Sequence, residues 1–213
     1  WEEAAAIPEV FLTAYDALFT RLALRTGETV LIHAVGSGVG TAAVQIARVA
    51  GARVVGTARS PDKLERAKKL GLDVAIDASR GDWVAQVEAA IGAARVHAVV
   101  DLVGGNYFEG NLRVLALRGR IVVVGLTAGA NTPFNLGALL QKRLTVVGTM
   151  LRSRDPEEKI ALARDFSERV VPLFDAGELK PVVDRVFSFD EIRAAHELMK
   201  SNATFGKLVL RWA

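Results

Sequence analysis

The sequence predicts an α/β protein built on a doubly wound, six-stranded parallel sheet. Three observations carry that expectation. Up to Met150, short Val/Ile/Leu runs recur as continuous apolar stretches rather than alternations, the pattern of strands buried on both faces. A helical pattern separates each run from the next, as right-handed crossovers between parallel strands require. The first run leads straight into "HAVGSGVG" (33–40), a turn with glycine at every second position.

The elements follow in order. Ile7–Leu24 has apolar residues at helical spacing and predicts a leading helix. Thr29–Ala34 predicts the first strand, Val39–Ala50 its helix, and Ala52–Ala58 the second strand. In "SPDKLERAKKLG", Ser60 sits at the N-cap, Pro61 at the first helical position, Asp62 in the first turn and Gly71 at the stop. "DVAID" (73–77) predicts the third strand and Asp82–Ile91 a helix. "VHAVVDLV" (96–103) predicts the fourth strand, followed by a helix over Tyr107–Leu117. "GRIVVVGL" (119–126) predicts the fifth strand, Leu136–Lys142 a short helix, and "RLTVVGTM" (143–150) the sixth strand. The simplest strand order is 3-2-1-4-5-6. After Arg154 the texture changes. Pro156–Phe174 predicts one long amphipathic helix. "PVVDRVFSF" (181–189), a helix over Asp190–Ser201 and "GKLVLRW" (206–212) then form a strand–helix–strand segment outside the six-strand alternation.

Composition bounds the partners. Among 213 residues, 27 basic and 24 acidic side chains are interspersed, a pattern that does not suggest a nucleic-acid surface. Thr29–Ala47 is an uncharged run, but its glycines and polar residues fit a strand, turn and helix rather than a membrane span. No cysteine occurs, so disulfides, thiol nucleophiles and cysteine zinc sites are excluded. The acidic opening "WEEAAAIPEV" lacks a signal-peptide pattern, and a reducing, cytoplasmic location is expected.

The glycine turn has two readings: a tight turn, or backbone laid against a phosphate. A strand before it and a helix after it favour the second, because the helix N-terminus adds unpaired N–H groups and positive partial charge. The bare motif fits as Gly38-x-Gly40-x-x-Ala43, although the strand end also allows a frame two or three residues earlier. At the end of the second strand, a site for NAD would carry an acid for the ribose 2′-hydroxyl. This chain has "GTARSPDK" instead, with Thr57, Arg59, Ser60 and Lys63 there. Two cations and a hydroxyl suit a 2′-phosphate, which points to NADP(H) unless Arg59 and Lys63 are merely solvated.

Several segments carry a resemblance beyond what the fold requires: "AAAIPEVFLTAYDAL", "VLIHAVGSGVGTAAVQIAR", "VDLVGGNYFEGNLRVLALRGRIVVVGL", "MLRSRD" and "HELMKSNATFGKLVL". Together they resemble the quinone oxidoreductases of the medium-chain dehydrogenase/reductase superfamily, the type of zeta-crystallin, from about Glu3 onward. The resemblance implies a Rossmann domain over 1–180, with 181–213 belonging to a substrate domain whose barrel-like portion precedes this region in the family. The chain is thus expected to be part of a longer polypeptide. Ser37 and Gly38 would face the pyrophosphate, with N–H groups of Ser37 and Val39 as donors and Gly40 for close packing. Arg59, Ser60, Lys63 and Asn202 would meet the 2′-phosphate end. A tyrosine the family often places after the third strand is Ala78 here, and Arg80 is the candidate substitute. Thr13, Gly125, Leu126, Met150, Leu151 and Arg152 would surround the nicotinamide.

No catalytic acid or base is assigned, since the implied chemistry is hydride delivery by an oriented cofactor. Asp101 is expected to order loops. No metal is expected either: the last zinc-ligand position of the zinc enzymes is Glu9, and His33, His97 and His196 read as structural or surface residues. The expected activity is NADPH-dependent reduction of quinones or conjugated carbonyls. The alternatives are an enoyl reductase domain of a polyketide or fatty-acid synthase, and a non-catalytic NADP(H)-binding module. The strand over 143–149, apolar and guarded only by Arg143, predicts a homodimer formed edge to edge.

Overall fold

The computed structural model describes residues 1–212. A six-stranded parallel sheet has the order β3-β2-β1-β4-β5-β6, made of β1 (Thr29–Ile32), β2 (Arg53–Ala58), β3 (Val74–Asp77), β4 (Val96–Asp101), β5 (Leu115–Val123) and β6 (Thr145–Gly148). β1 pairs with β2 from Thr29↔Arg53 and with β4 from Val30↔Ala98, so the strand order reverses beside β1. Alternate residues of the central strands feed two cores. Val30, Ile32 and Val54 pack with the leading helix and α3 (Gly38–Val49). Leu31, Val55, Val99 and Ile121 pack with α5 (Trp83–Ile91) and α6 (Tyr107–Val114). Each such buried aliphatic side chain contributes roughly 1.5–3 kcal/mol.

The leading helix differs from the expectation. A separate short α1 (Glu2–Ala5) precedes the expected span, which itself starts as α2 (Pro8–Tyr15), widens to π geometry over Asp16–Arg21 and stops short of Leu24. Pro8 starts α2 because its fixed φ suits a first turn and its missing N–H is not needed there. In the π turn, Leu22 N–H donates to the Ala17 carbonyl at 3.1 Å.

α6 stops at Val114 rather than Leu117, and β5 starts at once with the fully buried Leu115. The register then jumps from Val96↔Leu115 to Ala98↔Arg120. Arg118 in the jump adopts φ 61°, a conformation most side chains avoid. Lys142, from α7 (Leu136–Lys142), satisfies the carbonyls of Leu112, Arg113 and Leu115 at 2.8–2.9 Å. The helix expected over Pro156–Phe174 is two helices, α8 (Pro156–Arg169) and α9 (Val171–Asp175). Pro172 lacks the N–H that would continue α8, so a new turn begins there.

β7 (Val183–Ser188) and β8 (Lys207–Arg211) form a separate two-stranded parallel sheet with α10 (Ile192–Lys200) between them in sequence. This segment docks on the glycine turn. Gly206 N–H donates to the Gly36 carbonyl at 2.9 Å, and Ser37 and Gly206 form an isolated bridge. Gln45 of α3 both donates to the Lys180 carbonyl (3.0 Å) and accepts from its N–H (2.9 Å). No helix among the described residues is long and apolar enough to cross a membrane; Thr29–Ala47 is β1, the turn and most of α3.

Candidate cofactor-binding site

A cleft of about 1690 Å³ opens at the carboxyl ends of the strands, beside the point where the order reverses. Its position is the one where open α/β sheets bind ligands. The volume exceeds that of a typical small-molecule pocket and suits a long ligand.

The glycine turn forms the middle. Ser37 caps α3: its hydroxyl accepts from Gly40 N–H at 3.0 Å and its carbonyl from Thr41 N–H at 2.8 Å. Ser37 N–H donates to the Ala34 carbonyl at 2.9 Å, so it is spent on the turn and is not a phosphate donor as expected. The N–H groups of Gly38 and Val39 have no hydrogen-bond partner among the described residues, as the first turn of a helix dictates. They are the available donors. A Cβ on Gly38 would come within 2.7 Å of the Lys207 side chain and 2.9 Å of Val10. Gly40 serves packing instead: a Cβ there would lie 2.3 Å from the Ala34 carbonyl oxygen, and Gly40 does not line the cleft.

At the end of β2, Arg59, Ser60 and Lys63 line the cleft with Asn202. Lys63 donates to the Asn202 carbonyl, and Asn202 holds φ 56°, a backbone state that asparagine tolerates. Burial, with the charge of Arg59 next in weight, pushes the Lys63 ammonium below its usual pKa. Ser60 occupies the N-cap of α4 (Pro61–Lys68), yet its hydroxyl makes no capping bond. Arg80 does not line the cleft. It pairs with Asp77 at 3.0 Å, only three residues away, so it does not replace the absent tyrosine.

The opposite end lies beyond β5 and β6, where Gly125, Met150, Leu151 and Arg152 line the wall with Thr13. Thr13 is buried and its hydroxyl donates to the Glu9 carbonyl at 2.7 Å, which leaves only its lone pairs for a ligand. Leu126 departs from the expectation: it lies outside the cleft, 52% exposed, turned toward Gly104. The loop after β6 is fixed by Asp16, which is fully buried. Its Oδ2 accepts from Thr149 Oγ1 and from Arg154 Nη2, each at 2.6 Å. Burial pushes the Asp16 carboxyl up, but the bonds from Arg154 and Thr149 outweigh it and leave the pKa below the ordinary value.

Beneath the floor runs a buried polar chain. His33 bonds Thr57 Oγ1 through Nδ1 (2.9 Å) and Asn111 Oδ1 through Nε2 (2.7 Å). Asn111 donates to Asp101 Oδ2 at 3.0 Å, and Asp101 Oδ1 accepts the N–H groups of Val103 and Gly104 at 2.8 Å. Asp101 therefore orders the loop after β4. Burial pushes His33 below its usual pKa, against the opposing charge of Asp101 and the bond to Asn111. His97 accepts from Thr29 N–H through Nδ1 at 3.0 Å.

A search against family models matches residues 38–203 to the zinc-binding dehydrogenase family. The chain belongs to that family. Quinone oxidoreductase-like protein 2 of Bos taurus is 33% identical over 98% of this chain and 60% of its own length. A solved NAD-dependent alcohol dehydrogenase superposes with TM-score 0.84 at 37% identity, covering 99% of this chain and 58% of that one. The CurK enoyl reductase gives 0.83 at 32%, covering 99% and 62%. The chain thus spans about 60% of the length of the relatives it matches.

The family's name makes zinc worth testing against the residues present. Glu9 pairs with Lys207 at 3.1 Å, and no three His, Cys, Asp or Glu side chains converge among the described residues. Both ring nitrogens of His33 are committed. These residues do not fit a zinc site. A dinucleotide fits better: glycines at the turn, free N–H groups at a helix start and cations beside them.

Sequence reasoning missed Tyr107, which lines the cleft, and Asp16, which lies under it. Asp16 carried one signal, an acid on the apolar stripe of the leading helix. Tyr107 carried none, because a tyrosine at a helix start has many uses.

Proposed function

We propose that this zinc-binding dehydrogenase relative is the cofactor-binding part of an NADPH-dependent, zinc-independent reductase that delivers hydride to quinones or conjugated carbonyls. The observation that carries it is the pairing of the α3 N-terminus with Arg59 and Lys63 on one cleft wall. Gly38 and Val39 N–H groups would hold the pyrophosphate, and Arg59 and Lys63 the 2′-phosphate, where a carboxylate would repel it. When bound, NADPH supplies the hydride. The residues of this chain orient it: Thr13, Gly125 and the Met150–Arg152 loop form the wall at the reactive end, and Asp16 fixes that loop through Thr149 and Arg154. Thr13 has lone pairs to accept a carboxamide N–H. Catalysis on this reading is positioning in an apolar cleft, with no acid or base from these residues.

The likeness to an enoyl reductase supports a second reading, reduction of an enoyl thioester. NADPH oxidation followed with 1,2-naphthoquinone, with an enoyl thioester and without acceptor separates the two. A rate with naphthoquinone alone supports the first, and a rate with the thioester alone the second. The assay uses the longer polypeptide that also carries the substrate domain, since this part alone is expected to show little or no turnover. No rate there with either acceptor, despite tight NADPH binding, leaves a non-catalytic binding module. The cysteine-free composition supports a cytoplasmic setting.

We also propose a homodimer through β6. Among the described residues that strand is an edge strand paired only with β5, and α7 just before it exposes Leu136 and Leu140. Val146→Pro should convert the dimer to a monomer in light scattering while leaving NADPH affinity unchanged. A monomer mass for the unmutated protein at micromolar concentration would refute the dimer.

A further inference from the structure

Tyr107 opens α6, directly after the loop that Asp101 orders. Its ring stacks on Trp83 with centroids 5.5 Å apart and 16° between planes, and it meets His33 edge-on at 5.0 Å. Trp83 meets His33 edge-on as well, at 4.9 Å. His33 is pinned by its bonds to Thr57 and Asn111. Three rings thus hold one another, and Tyr107 cannot turn away without losing two aromatic contacts. Of the three, Tyr107 alone lines the cleft.

Its place in the cleft is set by its neighbours. His33 directly follows β1 and is bonded to Thr57 of β2, so Tyr107 stands over the β2 side of the floor. Burial raises the Tyr107 hydroxyl pKa, and Arg59 lies near enough to oppose that rise. Ala78 packs on the same hydrophobic core as Tyr107.

Elementary ribose chemistry joins these observations. The base is carried on C1′ and the 2′-phosphate on the adjacent carbon, so a protein that grips the phosphate has the purine beside that grip. We propose that Tyr107 is the adenine-recognising wall of the cleft: the purine of a 2′-phosphoadenosine lies against its ring while Arg59 and Lys63 hold the phosphate. The proposal rests on the dinucleotide reading above and adds a specificity-determining residue to it. A rigid ring is well suited, because a purine stacks on an immobilised aromatic without the entropy cost of ordering it.

The test titrates the protein with NADPH, with 2′,5′-ADP and with reduced nicotinamide mononucleotide, which lacks the adenosine. Tyr107→Leu should weaken NADPH and 2′,5′-ADP about tenfold, the scale of one base–aromatic stack, and leave the mononucleotide unchanged. Tyr107→Phe should restore both to within about twofold. Unchanged 2′,5′-ADP binding in Tyr107→Leu overturns the proposal, and so does equal weakening of all three probes, which marks a structural role. A second measurement needs no variant. The chain has two tyrosines, and Tyr15 is buried at 5% exposure and lies outside the cleft, so cross-relaxation from adenine H2 of bound 2′,5′-ADP to a tyrosine ring reports the half-buried Tyr107. Its absence from the bound complex overturns the proposal. If the unmutated protein binds none of the three probes, the dinucleotide reading itself fails and takes this proposal with it.

Discussion

The two ends of the cleft are built by opposite means. At the β2 end the groups lie in two short stretches, Gly36–Gly40 and Arg59–Lys63, each shaped by its own turn and helix start. At the β6 end the wall is a loop with no regular structure of its own, held by a carboxylate 133 residues away in sequence from Thr149 and 138 from Arg154. Local chemistry shapes the first end, which the C-terminal segment then braces through Gly206 on Gly36 and Asn202 on Lys63, whereas the closure of the fold alone fixes the other. The β2 end should therefore fail through ligand affinity when mutated, and the β6 end through stability.

The largest effect expected is at the β6 end. Arg154→Met removes the main partner of a carboxylate that is fully buried, and loss of about 3–5 kcal/mol is expected in denaturant unfolding. The same pair has an acid signature. Because the folded pKa of Asp16 is depressed, its contribution is fully present above the unfolded value near 4 and is lost as pH falls through the lower folded value. Asp16→Asn should start less stable at neutral pH and show a flatter acid limb. An unchanged limb would mean that Arg154 does not hold Asp16 in solution.

Gly40→Ala comes next and sharpens the comparison from the other side. Its Cβ would lie 2.3 Å from a backbone oxygen, so the turn must move. A loss of about 1–3 kcal/mol is expected, with NADPH binding lost beyond what stability explains, because the N–H groups of Gly38 and Val39 shift with it. Ser37→Ala is milder. It removes the cap to Gly40 N–H and should cost about 1 kcal/mol in thermal or denaturant melts, with modest loss of affinity. If Gly40→Ala melts the protein but spares affinity, the local account of the β2 end is broken.

The same contrast explains what could be read in the sequence. The six strands and their order were legible because burial on both faces is a local signal, while the packing role of Gly40 rested on the family resemblance, since the motif alone left its frame open. One boundary failed where a distant residue intervened, since Lys142 satisfies the last carbonyls of α6; the other failed although its cause was local, since Pro172 inside the expected span splits the helix after β6. Ser37 N–H was taken for a phosphate donor because the turn's own bond to the Ala34 carbonyl is invisible in a motif. Leu126 is expected in the cleft on the family resemblance alone, which does not show that its side chain turns toward Gly104 instead. Tyr107 needed the fold, which brings Trp83 and His33 against it from other elements.

The central claim is that the β2 end holds a 2′-phosphate, and calorimetric titration with NADPH and NADH tests it most directly. The unmutated protein should bind NADPH at least about tenfold tighter, the scale of one charge-assisted contact, and Arg59→Ala with Lys63→Ala should bring the two affinities together. The preference should also fall on the alkaline side earlier than an ordinary lysine would allow, since Lys63 titrates below its usual range. Equal affinity for NADPH and NADH in the unmutated protein would contradict the account.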